Sequence, residues 1–182
     1  MSANVIAGSS SSNQSGIVQT FVKKVLLHLD ESDPQKLNSF LTLFNPSGNC
    51  KIILNASPIA QPLLFLQMWQ QQVVQTQHSL TSLDYHVIPG SGTLICNVGC
   101  KVRFDESGRD KTGADSIVLA DNIGNTALGS NTKPRPIWGS YHGVSFQIIL
   151  DDRVFRNDFN GVITGFNYKM VYKPEDSLIS IQ

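Results

Sequence analysis

The sequence predicts an α+β fold in which a curved antiparallel sheet has three helices packed on one face. Apolar residues recur at helical spacing in the first half of the chain, from Ile17 to about Gln75. In the second half apolar and polar residues alternate, which is typical of half-buried strands. Helices and strands are therefore segregated along the chain, as they are in α+β proteins.

Composition favours one globular domain. The chain has 182 residues, 41% of them hydrophobic, and a formal net charge of zero. A chain of this length can bury a sizeable core. Residues 1–16 are rich in serine, glycine and asparagine and are expected to form a disordered tail before a domain at residues 17–182. We find no basic leader segment and no apolar run of membrane-spanning length, so a cytosolic or nuclear protein without membrane contact is expected.

Three helices are predicted in the first half. The first covers Ile17 to Leu29, where apolar residues recur every four positions. The second begins at Pro34, with Asp33 placed to cap it. Ser57-Pro58 indicates another helical entry, and Gln61 to Gln75 is predicted as the third helix. A short strand, Cys50 to Asn55, interrupts this half.

Four longer strands are predicted in the second half, and Asp151-Asp152 is expected to turn the chain into a further extended segment at Arg153 to Phe159. Antiparallel pairing of neighbours gives the curved sheet. The four strands are Gln77 to Ile88, Thr93 to Phe104, Gly143 to Leu150 and Val162 to Tyr172.

The cysteines do not indicate a metal site or a disulfide. Cys96 and Cys100 fall on the apolar side of one predicted strand. Four residues of extended chain place them ~13 Å apart. That separation is too great for a disulfide or for ligation of one zinc ion. Buried thiols are therefore predicted, and no metal or cofactor is expected.

The segment SGRDKTGAD looks at first like a nucleotide loop. Gly108 and Gly113 have the glycine spacing of a P-loop. However, Ala114 and Asp115 occupy the positions that require lysine and serine or threonine, and Asp115 would repel phosphate. The carboxylates from Asp105 onward also lack the spacing of a calcium loop. We therefore predict neither nucleotide nor calcium binding.

The unusual feature of this segment is its length, since the loop insertion from Asp105 to Ile137 shows no clear periodicity. Loops this long are usually functional or disordered. One interpretation is a solvated insertion; the other is an arm that contacts a macromolecule, with cations on phosphate or on acidic groups. The candidate residues for contact with cargo or RNA are Glu106, Arg109, Lys111, Lys133 and Arg135.

A catalytic interpretation has one candidate set. Asp84, Tyr85 and His86 are consecutive on a predicted strand. Asp84 and His86 share one side of the strand and Tyr85 the other, because neighbouring strand residues point to opposite faces. The pair could serve acid–base chemistry. It is equally well explained as two polar residues on a solvated or partner-facing surface.

Several long segments closely resemble the fungal mRNA transport regulator family. The resemblance extends from about Thr20 to Ser177 and rests on FLQMWQ, VVQTQHSL, GSGTLICNV, CKVRFDESGRDK, KPRPIWG, DDRVFRNDFNGVI and FNYKMVYKPEDS. It implies a nuclear transport factor 2-like fold and a non-catalytic role without cofactor or small-molecule substrate. Members are small subunits of the heterodimeric mRNA-export receptor, and their sheet faces the large subunit.

The resemblance also implies partners and a location. The heterodimer carries messenger ribonucleoprotein and precursors of the large ribosomal subunit through nuclear pores by binding Phe-Gly repeat nucleoporins. It is nuclear and shuttles to the cytoplasm. A sheet that is covered by helices on one face and apolar on both is expected to need a partner on the other. The predicted partner-contacting residues are Ile95, Asn97, Lys101, Arg103, Phe166, Tyr168 and Met170.

Two alternatives to the transport-factor interpretation remain. One is a small-molecule isomerase or dehydratase of the same fold that uses Asp84, Tyr85 or His86. The other is a free-standing RNA-binding protein that uses the loop cations. The absence of a convergent acid–base set in the sequence disfavours the first, and zero net charge disfavours the second.

Overall fold

The computed structural model describes residues 8–72, 75–108 and 137–179. Its helices are α1 (Gly8–Leu29), α2 (Pro34–Leu37) and α3 (Pro62–Gln72), with 3-10 segments at Asn38–Leu43 and Asp152–Arg156. Its strands are β1 (Lys51–Leu54), β2 (Ser57–Ile59), β3 (Thr76–Ile88), β4 (Thr93–Phe104), β5 (His142–Asp151) and β6 (Ile163–Tyr172). No helix within these residues is long and apolar enough to cross a membrane.

The six strands form one sheet in the order β2-β1-β6-β5-β4-β3. The four long strands, β3 to β6, pair antiparallel with their neighbours, as predicted. Strand β1 runs parallel to β6, so the sheet is mixed and not purely antiparallel. The register shifts between Leu80 and Ser82 in β3 and at Thr164 in β6, which lies between the partners of Ile149 and Leu150, and such bulges bend and twist a sheet.

Helix α1 begins earlier than the sequence predicts. Of its predicted apolar residues, Phe21, Val25 and Leu29 are fully buried and Ile17 is half-buried. The helix continues back to Gly8, so residues 8–16 are helical and the expectation of a disordered tail fails for this part of it. Serine, asparagine and glycine have low helix propensity, but an established helix extends by one hydrogen bond per added residue.

Two local predictions are wrong for identifiable reasons. Ser57-Pro58 does not start a helix but lies in β2, because Asn55 and Ala56 have positive φ angles of 47° and 68°. Two such residues in a row form the tight turn that joins antiparallel strands, here β1 and β2. The segment from Arg153 is a 3-10 turn instead of an extended segment, and the Asp151 side chain caps it by accepting from the Arg153 N–H at 2.9 Å.

The second helix is capped as predicted, but it is short. Asp33 accepts a hydrogen bond from the Gln35 N–H at 2.9 Å, and Pro34 occupies the first turn. After Leu37 the chain tightens into the 3-10 segment that carries buried Phe40 and Leu43. The helices thereby cover one face of the sheet with a core rich in aromatic side chains.

All three cysteines are buried and free, and burial raises the pKa of Cys96 and Cys100 to about 12 and that of Cys50 to about 11. The thiolate is the reactive form, so we expect an aromatic disulfide reagent to leave the native thiols unmodified for hours near neutral pH. In denaturant, all three should react within minutes. A thiol that titrates rapidly in the folded protein would contradict the buried placement.

Candidate partner-binding face

Among the residues that the structure describes, no helix covers one face of the sheet; we call it the open face. On β4, every second residue from Leu94 to Phe104 is buried beneath the helices. The residues between them, such as Ile95, Asn97 and Lys101, are half-buried or exposed. Period-two alternation with one solvated side is typical of an antiparallel sheet packed on one face only.

Polar amides cross the middle of the open face. Asn97 on β4 lies opposite Gln147 on β5, which in turn lies opposite Asn167 on β6. The Gln147 amide nitrogen donates to the Asn97 side-chain oxygen at 3.0 Å. We call these three residues the amide row. Asp84 on β3 extends it, since Asp84 pairs with Asn97.

On one side of the amide row the open face is apolar. Ile95 lies opposite Ile149, and both are half-buried although no helix covers them. Gly165 on β6 makes room for Ile149, because a Cβ atom at Gly165 would lie 2.9 Å from the Ile149 Cδ1 atom. The two isoleucines therefore pack on the sheet itself and present an apolar end to a partner.

On the other side the open face carries cations held by aromatic rings, and we call this the cation end. The Arg103 guanidinium lies 5.2 Å from the Trp138 ring centroid and 5.3 Å from that of Tyr141. Its Nε donates to the Gln77 side-chain oxygen at 2.7 Å. The Lys101 ammonium lies 5.4 Å from the Tyr141 centroid. Arg103 is thereby held in place with its charge available to a partner.

The structure brings four of the seven predicted partner-contacting residues together on the open face. These are Ile95, Asn97, Lys101 and Arg103, which alternate along β4. Met170 is not among them; it is half-buried and packs against the core. Sequence reasoning missed Gln147, Ile149 and Asn167, which only the strand register places beside β4.

Phe166 and Tyr168 were wrongly predicted to contact a partner. Their exposed fractions are 1% and 0%, and both lie on the helix-covered face of β6. Phe166 pairs with Ile148, whereas Ile163 pairs with Leu150 beyond the bulge at Thr164 in β6, and all four side chains are buried. The shift changes the phase of β6, which explains why its sequence looks apolar on both sides.

The base of the long loop is anchored to the sheet. Buried Asp105 accepts hydrogen bonds from the backbone N–H groups of Ser107 (2.9 Å) and Ile137 (2.8 Å). The Glu106 N–H donates to the Ile137 carbonyl at 2.7 Å, and the Glu106 carboxylate accepts from the Ser177 hydroxyl at 3.2 Å. Glu106 therefore holds the loop base and the C-terminal segment together.

The four cations that were predicted to contact cargo or RNA lie outside the described residues; they are Arg109, Lys111, Lys133 and Arg135.

The candidate catalytic set does not converge. Asp84 and His86 share the open side, as predicted, with 3.2 Å between the carboxylate and ring nitrogen, but their side chains are 73% and 66% exposed. Tyr85 lies on the opposite side, near Phe155. Acid–base chemistry needs groups that converge on one enclosed position. This set provides a solvated surface pair.

A second Asp–His pair, missed in the sequence, lies inside the fold. Asp30, at the end of α1, accepts from the His78 backbone N–H at 2.8 Å and contacts His78 Nδ1 at 2.5 Å. His78 Nε2 lies 2.9 Å from the Tyr168 hydroxyl. The Asp30 carboxylate can only accept a hydrogen bond, so His78 Nδ1 carries a proton and donates a hydrogen bond to Asp30. In a neutral ring Nε2 then has no proton, and it accepts a hydrogen bond from the Tyr168 hydroxyl. Burial raises the pKa of Tyr168 well above its usual value, which keeps this donor protonated.

This internal network is structural. The Trp69 ring packs against both His78 and Tyr168, with centroid separations of 6.3 Å and 5.4 Å, and the His78 side chain has no exposed area. The space in which a substrate could meet these groups is thus filled by the protein's own aromatic core. The network connects α1 to β3 and β6.

Within the described residues no group of three His, Cys, Asp or Glu side chains could hold a metal ion.

A bent sheet with helices on one face and an open opposite face defines the class of nuclear transport factor 2-like proteins. A solved structure of nuclear transport factor 2 from Cryptosporidium parvum matches with a TM-score of 0.56 at 13% identity, covering 93% of this chain and 99% of that one. Similarity at this level of identity shows the fold alone.

The chain belongs to the Mtr2 family, described as nuclear pore RNA shuttling proteins, whose model matches residues 12–181. It is 65% identical over 172 residues to the mRNA transport regulator MTR2 of Saccharomyces cerevisiae, covering 93% of both chains. It is also similar to Mtr2 in the solved Candida albicans Mtr2–Mex67 M domain complex, with a TM-score of 0.67 and 31% identity over 88% of this chain and 97% of that one.

Proposed function

We propose that this chain is the non-catalytic small subunit of a heterodimeric nuclear export receptor for mRNA. In this proposal its open face packs against a large-subunit domain related to the Mex67 M domain. The Candida albicans relative was solved in complex with that domain, which supports the same pairing here. The heterodimer also exports precursors of the large ribosomal subunit, binds Phe-Gly nucleoporins with help from this subunit, and shuttles between nucleus and cytoplasm.

The open face is the observation that carries this proposal. Ile95 and Ile149 lie uncovered beside the amide row, and Arg103 and Lys101 lie on aromatic rings at the other end. An apolar patch rimmed by polar groups typically marks a protein interaction site. Tyrosine, tryptophan and arginine are the residue types enriched in such interfaces.

The long loop supplies the cargo contact in this proposal. Arg109, Lys111, Lys133 and Arg135 would then bind phosphate or acidic groups of messenger ribonucleoprotein or pre-ribosomal particles. Support comes from the loop base, where buried Asp105 bonds to backbone groups at both ends of the loop. An arm that starts and ends at a fixed point presents its charges within a limited region of the surface.

Ile95→Asp should weaken binding to a Mex67-type M domain by about 100-fold, because it buries an unpaired carboxylate at the apolar end of the interface. Isothermal titration calorimetry with the purified domain measures the change. Leu27→Asp is the matched control: Leu27 is 70% exposed on α1, on the helical side of the fold, and this variant should bind like wild type. Failure of the wild-type chain to bind the domain would refute the heterodimer proposal.

A further inference from the structure

The amide row has hydrogen-bonding groups that the described part of the chain does not satisfy. Within residues 8–72, 75–108 and 137–179, its one side-chain bond is that between Gln147 and Asn97. The Asn97 amide nitrogen, the Gln147 oxygen and the whole Asn167 amide have no partner among these residues. Asn97 and Gln147 are exposed and Asn167 is half-buried, so these groups can bond to water. Any protein that covers the open face removes that water.

We propose that the amide row selects the partner. The domain that covers the open face presents hydrogen-bonding side chains opposite Asn97, Gln147 and Asn167, and a domain with an apolar centre is rejected. This inference rests on the proposed function, since it takes the open face as the heterodimer interface. It adds the feature that a partner must have to be accepted.

The physical basis is the asymmetry between satisfied and unsatisfied polar groups. An amide that exchanges water for a partner's hydrogen bond gains little, whereas an amide buried without one loses its hydration outright. Each such loss lowers affinity roughly tenfold. Ile95 and Ile149 discriminate weakly, because an apolar surface accepts any other of similar shape. Specificity is therefore concentrated in the middle of the face and affinity in its apolar end.

The charge distribution argues that the occupant is a different protein and not a second copy of this chain. Among the described residues no carboxylate lies within ion-pair distance of Lys101 or Arg103. If two copies pack with their strands aligned and a two-fold axis along the strands, cation end meets cation end. If the axis runs across the strands, the cations meet Ile95 and Ile149. The first arrangement sets like charges against each other and the second sets Arg103 against an apolar side chain, and each disfavours the homodimer.

The test replaces the amides by apolar side chains of similar size. Gln147→Met and Asn97→Leu are both at solvent-accessible positions, and the wild-type melting temperature should be retained. We expect the double variant to bind the Mex67-type M domain at least tenfold more weakly by calorimetry. It should also self-associate in sedimentation velocity runs, because its open face has become apolar across the middle. Gln67→Met, on the exposed side of α3, is the matched control and should change neither property.

The outcomes separate the two proposals. If wild type binds the domain, Ile95→Asp disrupts binding and the double variant binds as well as wild type or better, the amide row does not select the partner and only this inference falls. Binding of the wild type to an unrelated apolar sheet domain as tight as to the M domain would overturn it as well. If wild type does not bind the domain at all, the proposed function itself fails.

Discussion

Replacing Asp30 by alanine is expected to lower the free energy of unfolding by about 3 kcal/mol or more, because each hydrogen bond to a charged group contributes roughly 1.5–3 kcal/mol. The Asp30 carboxylate bonds to the His78 backbone N–H and ring, and it lies 2.9 Å from the Thr76 hydroxyl. The variant removes the acceptor of the His78 backbone N–H and ring N–H, whereas the Thr76 hydroxyl keeps the Leu29 carbonyl at 3.0 Å. Urea denaturation followed by circular dichroism measures the loss.

The exposed pair of the same chemistry supplies the control. Asp84→Ala removes the carboxylate beside His86, whose side chain is largely exposed, and should cost less than about 1 kcal/mol. Comparable effects of the two substitutions would show that the internal network does not hold α1 to the sheet.

Tyr168→Phe tests the β6 end of the internal network, since it removes only the hydroxyl that lies 2.9 Å from His78 Nε2. It should cost about 1 kcal/mol or more.

Phe166→Ala is expected to destabilise the fold by about 3–5 kcal/mol, which is the range for deleting a buried phenylalanine. The Phe166 ring contacts four others: Phe40, Phe44, Phe65 and Phe146, with centroid separations of 5.3–6.1 Å. Its removal would leave a cavity between the helices and the sheet. The measurement is again the urea midpoint, and the slope should remain unchanged.

This experiment also separates the two interpretations of β6. If Phe166 belonged to the partner interface, as the sequence predicts, alanine would weaken partner binding and leave the stability of the separate subunit unchanged. Val171→Ala, at a position that is 59% exposed on the same strand, is the control and should have little effect on stability. A stability loss for Val171→Ala equal to that for Phe166→Ala would contradict the assigned strand faces.

Local patterns predicted most of the secondary structure. The every-fourth spacing of Phe21, Val25 and Leu29 predicts α1, and the alternation from Thr93 to Phe104 predicts both β4 and its two faces. These patterns succeed because burial on one side of a helix or strand repeats with the period of that element. The family was inferred from the resemblance of long sequence segments, because residue periodicity alone does not identify a family.

The candidate site could be predicted only in part. The open-face residues of β4 were found because they share one strand, whereas Gln147, Ile149 and Asn167 became neighbours of β4 through pairing. The error at Phe166 and Tyr168 has the same origin. An extra, unpaired residue in β6, Thr164, changes which side of the strand faces the helices, and this bulge becomes apparent only when β6 pairs with β5.

The sequence by itself therefore determined the helices, the long strands, the buried thiols and the absence of a P-loop lysine from the loop that begins near Asp105. Each depends on residues close together in the chain. The tertiary structure alone decided which face of β6 is open, how the amide row is assembled, and that Asp30, His78 and Tyr168 meet inside the core. Those features join residues far apart in sequence, and strand register and helix docking bring them together.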